Sequence, residues 1–147
     1  MRTQRLKQID YTALAEFRFV LRCFLEFSEN EAKRIGLTSR QHQALLVIKG
    51  YGRGEPISVG VLAERLRIRH HSAVELAHRL SANGLVNKRQ DEEDQRRVLL
   101  ELSPEAESLL EKLSAAHLDE LSRIEPRLVR VLGREADSNK RRHPQNA

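Results

Sequence analysis

At 147 residues the chain can build one domain with a modest core but not two, and its apolar runs fall far short of the about 20 residues that span a bilayer, so no membrane partner is expected. One cysteine, Cys23, excludes an internal disulfide framework and fits the cytoplasm, and no apolar export signal opens the sequence. The net charge of +5 collects at the ends, with Arg2, Arg5 and Lys7 in residues 1–9 and Lys140, Arg141 and Arg142 against Asp137 in residues 137–147, so the middle is neutral and total charge argues little for nucleic acid.

The first ten or so residues show no period and are expected to form an arm. From about Thr12 to Ile35, Leu14, Phe17, Leu21, Phe24, Ser28 and Ile35 recur at three-and-four spacing, with Val20, Leu25 and Phe27 widening the stripe. This predicts one long helix. All four phenylalanines of the chain lie on it, Phe17, Phe19, Phe24 and Phe27, and such a face needs a large surface to cover it.

Gly36-Leu37 breaks that helix, and Thr38-Ser39-Arg40-Gln41 is a capping box in which two side chains satisfy each other's backbone donors. A second helix is predicted from Ser39 to about Lys49, burying Ala44, Leu45, Val47 and Ile48 and ending at Gly50. Tyr51 to Pro56 reads as a turn.

From Pro56 to Leu102 the pattern is that of a winged helix-turn-helix. Ser58 caps a short helix whose apolar face is Val61, Leu62, Ala63 and Leu66. Leu66 to Arg69 turns the chain, with Ile68 tucked into the corner. A second helix starts at about His70 with Ala73, Val74, Ala77, Leu80 and Ser81 inward, leaving Arg69, His70, Ser72, Glu75, Leu76, His78 and Arg79 on or near the other side. Gly84 suits the left-handed residue that stops it. The outward face is rich in Arg, His and Ser, which contact phosphates and base edges when a helix lies in a major groove. Residues 65–79 hold Arg65, Arg67, Arg69 and Arg79 against Glu75 alone, so the basic excess sits on the reading element.

Two strands are predicted next, residues 85–89 and 97–102, the second with Val98, Leu100 and Leu102 alternating onto one face. Between them, residues 90–96 (QDEEDQR) are too polar to bury and form a projecting wing.

The combination of LAERL, then SAVELAHRLSANGLV, then Asp91, Asp94, Arg96 and Arg97 before VLLELS resembles the MarR family of bacterial transcription regulators, over roughly Tyr11 to Gly133. The resemblance implies a mainly α fold with a small β-wing, of about six helices and two to three short strands. It also implies that Asp94 pairs with the nearby arginine and fixes the wing, while Arg96 enters the minor groove, with Arg97 as the competing candidate. One departure is Ala106, where the family often has glycine after the last strand. Ser103 can still cap the following helix and Pro104 suits its first position.

That helix is predicted from Pro104 to about Ile124, with Ala106, Leu109, Leu110, Leu113, Ala116, His117, Leu121 and Ile124 on its apolar side. Pro126 is expected to stop or kink it, giving a short last helix to Gly133. Residues 134–147 read as a disordered charged tail. The whole, residues 1–147, is one domain, with residues 38–102 as the winged helix-turn-helix. The terminal helices, 11–35 and 104–133, carry more apolar surface than they can bury alone, so a homodimer is expected, as the resemblance also implies.

The DNA-binding candidates are therefore Arg67, Arg69, His70, His71, Ser72, Glu75, Arg79, Arg89, Asp94, Arg96 and Arg97. The partners implied are double-stranded DNA bearing a palindromic operator, a second copy of the chain and a small-molecule effector that relieves repression. Arg18, Arg22 and His42 are candidates for receiving an anionic aromatic effector; the bland alternative for His42 is a partly exposed helix residue.

Two rival sensors share this scaffold. Peroxide-sensing relatives place a cysteine in a similar Cys-Phe context, but Phe27, Tyr11 and Tyr51 do not supply the tyrosine hydroxyls that resemblance needs, so Cys23 reads as a quiet half-buried residue. Zinc-sensing relatives suggest His42 and His117, yet no His-x-x-x-His or cysteine pair completes a site, and no cofactor or metal is expected. A winged module that binds proteins rather than DNA is the third alternative. An enzyme is not expected, since no glycine-rich phosphate loop and no Ser/His/Asp set are present, and the acids of the wing have no apolar wall.

Overall fold

The computed structural model describes residues 5–133, which fall into two compact units. One comprises residues 29–115 and the other the segments on either side of it, 5–28 and 116–133. Helices α1 (Gln8–Arg34) and α5 (Pro104–Leu132) each contribute to both. Between them come α2 (Ser39–Gly52), β1 (Ile57–Ser58), α3 (Val59–Leu66), α4 (His70–Ala82), β2 (Val86–Gln90) and β3 (Val98–Leu102).

In the central unit the helix starts follow from local chemistry. At α2 the Thr38 hydroxyl accepts from the Gln41 N–H at 3.1 Å, and the Gln41 carboxamide oxygen accepts from the Thr38 N–H at 3.0 Å. The Ser58 hydroxyl accepts from the Val61 N–H at the start of α3, and the Ser103 hydroxyl from the Ala106 N–H at the start of α5. Ala106, in place of the family's glycine, is fully buried without disturbing that cap.

The sheet runs β1-β3-β2, antiparallel throughout, with Ile57 opposite Leu100 on one side and Lys88 opposite Leu100 on the other. Leu100 is thus the centre of the sheet and is fully buried. Leu45, Leu62 and Leu80 from α2, α3 and α4 are equally enclosed, and Ile68 packs against this core from the turn.

Three boundaries and one orientation differ from what the sequence predicts. Helix α1 starts at Gln8 rather than near Thr12, where the Asp10 carboxylate accepts from the Lys7 N–H. Helix α2 runs past Gly50 to Gly52 and stops at Arg53, which takes a left-handed conformation with φ of 50°. Pro126 does not break α5, so the described residues hold five helices where about six are expected. The carbonyl deprived of its partner by the proline is that of Ser122, an exposed residue that water can satisfy, while Ile124 before it and Leu128 after it continue the inward face. On α4, Leu76 is buried and Val74 is 46% exposed, the reverse of the expected orientation. At 3.6 residues a turn Leu76 lies about 65° from the centre of the Ala73-Ala77-Leu80 stripe and Val74 about 95°, so the core takes the leucine.

The flanking unit is built differently. Ala13, Val20, Ser28 and Ile124 are buried, and Arg127 pairs with Glu16 through its Nε at 3.1 Å while lying over the Phe19 ring at 5.4 Å. His117 is held by the Ser28 hydroxyl, 2.8 Å from its Nε2, and by the edges of Phe24 and Phe27. Among the described residues no helix is long and apolar enough to cross a membrane. The expected tail, 134–147, and the first four residues of the arm lie outside the described residues.

Candidate nucleic-acid interface

The turn between α3 and α4 places the second helix of the pair outward. Arg67 closes α3 in a left-handed conformation, φ 55°, and its N–H reaches back to the carbonyls of Ala63 and Glu64. Two residues on, Arg69 stands at the N-cap of α4, and its side chain makes no cap hydrogen bond. Helices α2, α3 and α5 all have their first turn satisfied by a hydroxyl. The first turn of α4 therefore presents backbone donors and the positive end of the helix dipole to whatever approaches. Arg67, Arg69, His70 and His71 are exposed around this point, and Ser72 is half-buried.

The wing is folded on its own acids. The Asp94 carboxylate accepts from the Arg96 N–H at 3.1 Å and from the Arg96 Nε at 3.2 Å, and the Asp94 carbonyl accepts from the Arg97 N–H at 2.9 Å. A second pair joins Arg97 to Asp91 at 3.5 Å, and the Asp91 carboxylate also accepts from the Glu93 N–H. Such exposed pairs contribute little stability, about 0–1 kcal/mol each, so their effect is geometric. They fix the backbone of the loop while the Arg96 side chain stays 92% exposed at its tip.

Between α4 and the wing lies a hollow of about 330 Å³, lined by His70 and Val74 of α4, Lys88 of β2, and Arg96 and Arg97 of the wing. A second hollow, of about 420 Å³, shares Val74 and Lys88 with the first and is lined also by Glu75, His78 and Arg79. The fold thus brings His70, Arg96 and Arg97 to one cleft and Glu75 and Arg79 to another, and leaves Arg89 exposed on β2. The sequence reading passed over Lys88, which serves both hollows and whose ammonium lies 3.4 Å from the His78 Nδ1.

The remaining candidates line neither hollow. Arg18 and Arg22 are exposed one turn apart on α1. His42 is 3% exposed on α2, not the partly exposed residue of the bland reading, since it follows Gln41 onto the inward side of the capped helix. Cys23 is exposed rather than half-buried, because it falls between the inward positions Val20 and Phe24 on α1. Among the described residues no three His, Cys, Asp or Glu side chains converge as a metal site.

Residues 35–97, from the end of α1 to the tip of the wing, match the model of the MarR family. Over that segment the chain is similar to the MarR family. The MarR fold extends well beyond the matched segment. AbsC, a MarR family transcriptional regulator from Streptomyces coelicolor, is 18% identical, with 94% of this chain and 99% of that one covered at a TM-score of 0.70. MepR from Staphylococcus aureus, in its complex with DNA, is 16% identical over 84% of this chain and 89% of its own, with a TM-score of 0.67. A probable transcriptional regulator from Pseudomonas aeruginosa is 26% identical over 75% of this chain and 80% of its own, with a TM-score of 0.57. No curated protein matches by sequence.

Proposed function

We propose that the chain is a cytoplasmic, sequence-specific regulator of transcription that binds a palindromic operator in double-stranded DNA as a homodimer. The observation that carries this reading is the cleft in which Lys88, Arg96 and Arg97 gather beside His70, next to an α4 start that no side chain caps. In this reading α4 enters the major groove, with Arg67, Arg69, His70, His71, Ser72, Glu75 and Arg79 at phosphates and base edges. Arg96 reaches the minor groove from the wing, Asp94 orients it, and Arg89 and Arg97 take neighbouring phosphates.

Dimerisation is supported by the apolar residues that the flanking unit leaves exposed on α1 and α5, among them Leu14, Phe17, Leu25, Leu118 and Leu121. A two-fold pairing covers them and presents two α4 helices to half-sites about 34 Å apart, one turn of the duplex. MepR has been seen bound to DNA and is described as the regulator of a multidrug efflux pump. Repression relieved by a small molecule is the regulatory mode that goes with this reading.

Selection of bound sequences from random duplexes tests it. Recovery of an inverted repeat with half-sites one helical turn apart is the expected result. Failure to enrich any sequence contradicts it and leaves the winged unit as a protein-binding module.

A further inference from the structure

Val74 belongs to no part of the core. It is the one large apolar side chain exposed on α4 among the described residues, and polar side chains surround it: His70 and His71 a turn before, Glu75 beside it and His78 a turn after. It lines both hollows, with Arg96 and Arg97 on one flank, Arg79 on the other and Lys88 shared between them.

A duplex lying against α4 sets its phosphates on those flanking cations and offers base edges to the side chains between them. Glu75 makes this division sharper, because a carboxylate is repelled by a phosphate yet accepts from the amino group of a base. The centre of α4 therefore meets the floor of the groove. There valine can neither donate nor accept, so against a polar base edge it leaves a desolvated group unsatisfied. The apolar group on a major-groove floor is the 5-methyl of thymine. Valine is also stiff about χ1, so its two methyls are presented in one orientation at little entropic cost.

We propose that Val74 is a specificity-determining residue that selects thymine in each operator half-site by packing against the base's 5-methyl group. This rests on the DNA-binding reading above and adds a base that the reading leaves open.

The test replaces each thymine of the selected operator in turn by deoxyuridine, which removes the methyl and no hydrogen-bonding group. With the full-length protein, one thymine in each half-site is expected to be methyl-dependent, uracil there weakening binding about fourfold, the factor that one buried methyl-sized group commands. V74A is expected to bind the thymine and uracil duplexes equally, and V74T, close to isosteric, to show a reduced preference at the same base should V74A fold poorly. Wild-type protein indifferent to every uracil, or variants that discriminate as wild type does, would overturn the role of Val74 while leaving operator binding intact. A selection that returns no operator would overturn the DNA-binding reading itself, and the role of Val74 with it.

Discussion

The two units handle apolar residues in opposite ways. In the central unit Leu45, Leu62, Leu80 and Leu100 are fully enclosed, and the large apolar side chains left outside are Leu46, Tyr51 and Val74. In the flanking unit Ala13, Val20 and Ile124 are buried, while Leu6, Ile9, Leu14, Phe17, Phe19, Leu118, Leu121 and Leu132 are all 40% exposed or more. The first pattern closes a core and shows a basic face. The second leaves apolar side chains that the proposed two-fold pairing would cover, and it teaches that hydrophobic content alone does not say where a core is closed.

The comparison breaks most visibly if charge is placed on the unfinished surface. Leu118→Glu, at a side chain 63% exposed, is expected to turn a dimer into monomers with at least a tenfold loss of self-association, since two-fold symmetry buries the charge twice, while the melting of the central unit stays unchanged. Sedimentation at micromolar concentration reads the first effect and denaturant unfolding the second. The converse change is Leu80→Ala in the closed core, expected to reduce unfolding free energy by about 3 kcal/mol in a urea titration.

On the basic face, Arg96→Ala is expected to weaken operator binding about tenfold and to lower the salt slope by about one per wing, leaving stability unchanged, because the side chain is 92% exposed. Affinity measured at two salt concentrations reads it. An unchanged affinity and slope would remove the wing from the binding surface. The smallest effect is local: Ser58→Ala should cost about 1 kcal/mol of stability through the lost cap of α3, read by thermal melting.

What the sequence made legible was chemistry that closes within a few residues. The capping box at Thr38 and Gln41, the hydroxyl caps at Ser58 and Ser103, and the left-handed Gly84 after α4, φ 71°, each depend on neighbours three or fewer positions away. The Asp94–Arg96 pair that the family resemblance implies is likewise local. What was missed needed either an angle or a distant partner. Val74 and Leu76 differ by about 30° in their offset from the same stripe, a difference that counting three-and-four spacings does not resolve. Pro126 ordinarily breaks a helix, yet the carbonyl it strands here belongs to exposed Ser122. Pairing of Ile57 with Leu100 joins residues far apart in sequence, as does the contact of Ser28 with His117. The residues lining the hollow beside α4 divide along the same line: motif and position single out Arg96 and His70, whereas Lys88 and Val74 acquire their places only when β2 is laid beside α4.

Sedimentation of the full-length protein on a duplex carrying the selected inverted repeat, beside one carrying a single half-site, bears most directly on the claim that paired chains set two α4 helices into one face of DNA. The expected result is two chains on the inverted repeat, with much weaker binding to the half-site. One chain per duplex, or equal affinity for both, would contradict it.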